Sequence, residues 1–222
     1  MKTEATFLKN EFIDAFLSEQ LDAEQPLISK KESRNAYSVE RNYVNSKAYH
    51  DKFESLPVNK DVQQSLYIQA GRLLEFVDGQ EQERLIAVNA RTGEFIVDNF
   101  NREGSIRGTG FNEVEAEKLL KCKDSIVLLH NHSLNGRPSA QDLITYLNED
   151  IVRISLIICH DGTVYGIYEV KPEFKIYYEK ILDFERQRTS DIDEAKRMAA
   201  TMMYQLNEKL GDRHKLFMIK KL

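Results

Sequence analysis

The sequence contains little of what marks secreted, membrane-bound or disulfide-rich proteins. Its two cysteines, Cys122 and Cys159, could form at most one disulfide, and neither lies in a CxxC pair, so we expect both to be small buried apolar side chains. No apolar run approaches the roughly 18 residues that a membrane span needs. The N-terminal segment mixes acidic and basic residues, whereas a secretory signal needs an uninterrupted apolar centre. We therefore expect a cytoplasmic protein that does not contact a membrane.

An excess of positive charge is also missing. The formal net charge is -5, which gives no general attraction to phosphate, so nucleic-acid binding would need a local basic patch. The only candidate is the C-terminal segment RHKLFMIKKL, which we expect to be a solvated tail. Hydrophobic residues make up 41% of the chain and charged residues 30%, as in ordinary globular proteins. Nucleic acid is therefore not an expected partner.

Residues 1–55 are predicted to form an appendage to the main domain. Apolar residues recur at helical spacing from Phe7 to Leu17, which predicts an amphipathic helix whose apolar stripe docks on a protein partner. Residues 24 to about 54 are polar and contain tyrosines without a sustained period. This composition predicts an extended arm or an irregular connector.

Residues 56–172 alternate between helical and strand patterns. A helix is expected from Val62 to Val77, followed by the strands RLIAVNA and EFIVDNF, which a short turn joins. Asn112 and Glu115 have the spacing of a capping box and predict the start of a further helix. The continuous apolar run SIVLLH then predicts a strand that is buried on both faces.

The same alternation continues to the end of this segment. We expect a helix over about 139–148, a second buried strand in ISLIICH, and a tight hairpin at Asp161-Gly162 that leads into TVYGIYEV. The order of elements predicts a mixed α/β sandwich. Residues 173–222 are predicted to be a C-terminal helical extension, in which an amphipathic helix runs from Ile192 to Leu210.

The segment HNHSLNGRPSAQD, residues 130–142, is the most informative part of the chain. On a strand, His130 and His132 point to the same face and can present both imidazoles to one metal ion. Asp142 would lie in the first turn of the next helix. Two histidines and a carboxylate leave one coordination position open, as a catalytic zinc requires. Ser139 and Asp142 also have the spacing of a helix cap, which would hold Asp142 in place while the metal uses it.

This motif resembles the signature of the JAB/JAMM (MPN-type) metalloprotease family, which is H-x-H, seven residues, S, two residues, D. The resemblance covers roughly Leu56 to Val170 and extends to the CHDGTVYGIY hairpin, which is similar to the one in bacterial and phage members, including the RadC-like branch. It implies a mixed-sheet, cytidine-deaminase-like sandwich and a Zn²⁺ ion held by His130, His132 and Asp142. One departure is Ser133, where the family usually has proline.

The family also has a glutamate beside the metal water, at the start of the first core strand. The resemblance places Glu83 at this position, with Glu81, Glu94 and Glu103 as alternatives. Ser139 would then donate a hydrogen bond to the tetrahedral oxyanion.

The implied reaction is hydrolysis of a peptide or isopeptide bond in a protein or peptide substrate, such as the tail of a ubiquitin-like protein. The alternatives are a metal-free scaffold of the same fold and a RadC-like, DNA-associated role. A link to phages or other mobile elements is compatible with all three functions.

Overall fold

The computed structural model describes residues 13–19, 37–103 and 109–222. The chain divides into two compact units. Of the described residues, one unit contains 13–19 and Lys171–Phe217, and the other contains 37–103, 109–170 and Met218–Leu222. Among the described residues, no helix is both long and apolar enough to cross a membrane.

The larger unit is built on a mixed six-stranded sheet, with the strand order β2-β1-β3-β4-β5-β6. Strands β1 and β2 are antiparallel, as are β1 and β3, whereas β3 and β4 are parallel and β4 and β5 antiparallel. The predicted mixed α/β class is therefore confirmed. The strands are β1 (Leu85–Asn89), β2 (Phe95–Asp98), β3 (Ile126–His132), β4 (Val152–Cys159), β5 (Val164–Val170) and β6 (Phe217–Lys221).

The three helices predicted for residues 56–172 are present, and two further helices precede them. They are α2 (Arg41–Val44), α3 (Lys47–Glu54), α4 (Lys60–Val77), α5 (Glu113–Leu120) and α6 (Ala140–Asn148). The predicted capping box is present at the start of α5, where Asn112 accepts from the Glu115 N–H and Glu115 accepts in return from the Asn112 N–H. Both box residues satisfy backbone donors that the first helical turn leaves free.

The central strands are buried on both faces because helices cover each side of the sheet. One core contains the apolar face of α4, with Leu66 and Leu73, packed on Ile86 and Leu129. A smaller core on the other face contains alternate residues of the same strands, together with side chains from α5 and α6. Burial on both faces explains why β1, β3 and β4 are nearly continuous apolar runs instead of alternating patterns.

The expectation of an irregular connector is wrong for residues 41–54, which form α2 and α3. Ser46 caps α3 by accepting from the Tyr49 N–H, and Tyr49 and Phe53 are almost fully buried. Four residues apart on a helix, they share one face and meet edge to face, with ring centroids 5.2 Å apart. Two aromatic rings thus anchor α3, whose other residues are mostly polar and are not buried, which conceals the helical period. Residues 24–36 lie outside the described ones.

The smaller unit contains α7 (Glu173–Arg186) and α8 (Ile192–Lys209), which include the predicted amphipathic helix. Residues 13–19 are helical (α1), and Ile13 and Phe16 are buried. The part of the predicted N-terminal stripe before residue 13 lies outside the described residues.

The basic C-terminus is not a solvated tail, because Phe217–Lys221 form strand β6. The Asn207 side chain accepts from the backbone N–H groups of Leu216 and Phe217 and donates to the Phe217 carbonyl, which fixes the start of the strand. The two cysteines are free thiols. Cys159 is buried as expected, whereas Cys122 is only partly buried.

Candidate metal centre

The two histidines of the motif occupy the C-terminal end of β3. In the ladder, His130 lies opposite Leu85 on β1 and Ile157 on β4. Because side chains alternate along a strand, His130 and His132 emerge on the same face, and their Nε2 atoms are 3.2 Å apart. His130 is buried, and the side chain of His132 is 12% exposed.

Asp142 reaches these histidines from the first turn of α6. Ser139 is the N-cap residue, and its Oγ accepts from the Asp142 N–H at 3.2 Å while Asp142 Oδ2 accepts from the Ser139 N–H at 2.6 Å. This reciprocal pair is the capping box that the sequence predicts. It directs Asp142 Oδ1 to 3.2 Å from His130 Nε2 and Oδ2 to 3.4 Å from His132 Nε2.

The loop between β3 and α6 fixes the tautomer of His132. Its Nδ1 lies 3.1 Å from the Gly136 carbonyl oxygen, an acceptor, so Nδ1 carries the proton and Nε2 is left with a lone pair. Metal-binding histidines characteristically have such a partner on the second ring nitrogen. Within the same loop Asn135 adopts a positive φ of 57°, and its Oδ1 accepts from the Asp161 N–H at 2.9 Å.

Six residues separate His132 from Ser139, one fewer than the seven of the family signature. The order and residue types of the motif therefore agree with that signature, but this spacing does not. In spite of the shorter loop, the three side chains converge.

His130, His132 and Asp142 form a group that could hold a metal ion, because each offers one ligand atom and these atoms all lie within 4.8 Å of one another. Zinc bonds of about 2.0–2.1 Å at tetrahedral angles place neighbouring ligand atoms about 3.3 Å apart. The Nε2 atoms of His130 and His132 are 3.2 Å apart, and Asp142 approaches them with different oxygens, Oδ1 at 3.2 Å from His130 Nε2 and Oδ2 at 3.4 Å from His132 Nε2. Two imidazoles and one carboxylate supply three ligands, so one position stays open for water or substrate.

Glu83 is the glutamate that approaches this group. It immediately precedes Arg84 and the start of β1, and its Oε1 lies 3.8 Å from His132 Nε2. Glu81, Glu94 and Glu103 are all exposed, and among the four candidates only Glu83 lines the cleft at the site as far as the described residues go.

The carboxyl groups of the site differ in their electrostatic surroundings. Burial raises the pKa of Glu83 above its ordinary value; the charges of His130 and His132 oppose this rise, and that of Asp142 adds to it. Burial also acts to raise the pKa of Asp142, but the charges and hydrogen bonds of the two histidines outweigh it and hold that pKa well below its usual range. Asp142 therefore favours its anionic form more than an exposed aspartate does, whereas Glu83 can hold a proton more readily than an exposed glutamate.

The site opens into a cleft of about 300 Å³. Its lining includes the apolar side chains of Leu85 and Leu128 and several polar side chains, those of Thr109, Gln141, Thr145 and Ser155. Ser139 also lines the cleft. Because its Oγ serves the cap as an acceptor, its hydroxyl proton remains able to donate to a group in the cleft.

Sequence reasoning missed one polar residue within the motif itself. Asn131 is fully buried on the opposite face of β3 from the histidines and hydrogen bonds to the backbone on both sides of Glu83. The signal that could have found it is its position between two candidate ligands, where strand alternation turns it away from the metal and toward the chain that precedes β1.

A comparison with protein-family models gave no match, and neither did comparisons with curated proteins and with solved structures.

Proposed function

We propose that this protein is a zinc-dependent hydrolase of the JAB/JAMM type that cleaves a peptide or isopeptide bond. One observation carries the proposal. The Nε2 atoms of His130 and His132 are 3.2 Å apart and each has an oxygen of Asp142 within 3.4 Å, in a cleft that Glu83 also lines. The helices on both faces of a mixed sheet, with the motif at the end of a central strand, support a JAB/JAMM-like sandwich as the fold.

Each residue of the site has a chemical task in this proposal. His130 and His132 bind through Nε2, and Asp142 binds through its carboxylate. Bound zinc would lower the pKa of a water to about 7 and polarise the substrate carbonyl. Glu83 accepts the proton of the attacking water as its oxygen bonds to the carbonyl carbon. It then delivers that proton to the nitrogen as the C–N bond breaks, which yields a carboxylate and a free amine.

Ser139 stabilises the oxygen that becomes negative in the tetrahedral intermediate. Its hydroxyl lies at the edge of the cleft, and the α6 cap fixes its position. Removal of one such donor from other hydrolases costs on the order of 3 kcal/mol of transition-state stabilisation. Ser139→Ala is therefore expected to lower kcat by about two orders of magnitude, by the usual conversion of 1.4 kcal/mol to a factor of ten.

The substrate class follows from the resemblance and from the cleft. A cleft lined by both apolar and polar side chains suits an extended peptide, whose backbone needs hydrogen-bond partners and whose side chains need apolar contact. We propose a protein substrate with an accessible tail, such as a ubiquitin-like protein, in the cytoplasm.

The decisive experiment measures zinc per chain in protein purified without chelator. We expect about one zinc in the wild type and none in His130→Ala or Asp142→Ala. His50→Ala is the matched control, because His50 belongs to the second histidine and carboxylate group among the described residues, with Asp51 and Glu54 on the surface of α3. If the wild type binds no zinc even when zinc is supplied, the hydrolase is refuted and a metal-free scaffold remains.

A further inference from the structure

The Asn131 side chain hydrogen bonds to both peptide groups that flank Glu83. Its Oδ1 accepts from the Arg84 N–H at 2.7 Å, and its Nδ2 donates to the Gln82 carbonyl at 3.1 Å. The Gln82 carbonyl belongs to the peptide bond before Glu83, and the Arg84 N–H belongs to the one after it. One fully buried side chain thus orients the backbone on both sides of a residue that precedes the regular ladder of β1.

His160 determines which way the Asn131 amide faces. His160 is fully buried, and its Nδ1 lies 2.7 Å from the Tyr37 carbonyl oxygen, so this nitrogen carries the proton. Its Nε2 is then an acceptor for Asn131 Nδ2, 3.3 Å away. With the amide turned over, its oxygen would face two acceptors and its NH₂ group would face the Arg84 N–H. Every partner is therefore satisfied only when Oδ1 faces the Arg84 N–H and Nδ2 faces the Gln82 carbonyl and His160 Nε2.

A second side chain of the same strand face holds the chain one residue earlier. The Ser133 hydroxyl donates to the Glu81 carbonyl at 3.2 Å. In the segment from Glu81 to Arg84, strand pairing is limited to a single bridge at Glu83. Asn131, on β3, and Ser133, just after it, add side-chain hydrogen bonds that hold this segment. The serine that departs from the family's usual proline supplies one of these bonds.

We propose that Asn131 is a positioning residue that sets the location of the Glu83 carboxylate relative to the metal ligands. This inference rests on the proposed function. Fixing both peptide planes fixes the Cα–Cβ direction of Glu83, and from there its carboxylate reaches to within 3.8 Å of His132 Nε2. Misplacement of a reacting group by about 1 Å can cost roughly 10²-fold in rate. Asn131→Ala should therefore lower kcat about 10²-fold and leave KM and zinc content nearly unchanged.

The first measurement is amide hydrogen exchange by NMR, which needs neither zinc nor a substrate. In the wild type, the Arg84 amide should be strongly protected because its acceptor is buried. In Asn131→Ala its protection should fall about tenfold or more, whereas amides in the middle of β3 keep theirs. A wild-type Arg84 amide that exchanges at the rate of an unprotected amide overturns the proposal without any variant.

The second measurement is the crystal structure of the zinc-loaded variant, where we expect the Glu83 carboxylate to be displaced by about 1 Å or more while the ligands stay in place. Asn131→Ser is the substitute if the alanine variant does not fold, because serine is polar but too short to reach both peptide groups.

Asn89→Ala is the matched control. Asn89 is also buried and also accepts from two backbone N–H groups, those of Arg91 and Thr92, but at the far end of β1. It should lower stability and leave the Glu83 position unchanged. An unmoved Glu83 in Asn131→Ala, or full turnover with zinc bound, refutes the positioning role. Absence of zinc or of turnover in the wild type refutes the hydrolase instead, so the two failures are distinguishable.

Discussion

Zinc should raise the melting temperature of the wild-type protein and leave that of Asp142→Ala unchanged. An ion that binds only the folded state stabilises it by RT ln(1 + [Zn]/Kd), which is about 2.7 kcal/mol when free zinc is 100 times Kd. For a chain of this size, 1 kcal/mol shifts Tm by roughly 2–4 °C. The expected rise is therefore roughly 5–10 °C, measurable by scanning calorimetry with free zinc held by a metal buffer.

Ser139→Ala separates the two roles of the α6 cap in the same assay. Loss of an N-cap side chain costs about 1 kcal/mol, so this variant should melt roughly 2–4 °C lower without zinc. Its zinc-induced rise should nevertheless persist, because Ser139 donates no ligand atom. The reasoning is refuted if Asp142→Ala shows the full rise, or if His50→Ala loses it, since the latter would move the zinc site to the surface of α3.

Three further predictions address the base, the protonation of the ligands and the core. Glu83→Gln should bind zinc as the wild type does and lose turnover, whereas Glu81→Gln should keep both; a fully active Glu83→Gln enzyme would show that the base is misassigned. Zinc affinity should rise with pH through a midpoint above 6.5. The reason is that His132 must lose its proton before it can bind zinc. Burial lowers the pKa of His132, but the hydrogen bond and charge of Asp142 and the charge of Glu83 outweigh burial and raise that pKa. In the metal-free protein, protonated His132 contributes fully to the free energy of unfolding below pH 6.5, and this contribution is lost as the pH rises through the raised pKa of His132. The contribution of ionised Asp142 is lost only as the pH falls through the depressed pKa of Asp142. Denaturant unfolding across this range measures both limits, and a zinc affinity that is flat between pH 6 and 8 would contradict the assignment. Finally, Tyr49→Phe should be neutral or stabilising by up to about 1 kcal/mol, because the buried Tyr49 hydroxyl has no hydrogen-bond partner among the described residues; Phe53→Ala, which leaves a cavity in the same cluster, should destabilise by about 3–5 kcal/mol.

The strands and main helices of the larger unit were predictable because their signals are local. A strand covered on both faces is apolar throughout. The capping boxes that begin with Asn112 and Ser139 each predict the start of a helix from only two residues. Strand β6 was not predictable in this way. Its Lys220 and Lys221 are exposed, so its sequence resembles a charged tail, and its start depends on bonds to Asn207 that only the folded chain brings together.

In the candidate site too, the features with local signals were predictable and those that depend on long-range contacts were not. The strand period alone predicts that His130 and His132 share a face, and the cap predicts that Asp142 lies in the first turn of α6. Their convergence on Glu83 could be inferred only from a resemblance, because nothing local joins residue 83 to residue 130. The role of Asn131 depends on a hydrogen bond to a residue 47 positions away in sequence. The periodicity of a single helix or strand cannot predict such a contact.

The one-residue difference in loop length has a physical explanation in how the ligands are held. His130 and His132 are fixed by the β3 ladder on both sides, through β1 and β4. Asp142 is fixed by its reciprocal bonds to Ser139. The intervening loop only has to span the gap, and Asn135 turns it with a positive φ, a conformation that asparagine adopts more easily than most residues. Because the two ends of the loop hold these side chains, His130, His132 and Asp142 converge although the loop is one residue shorter than in the signature that the motif resembles.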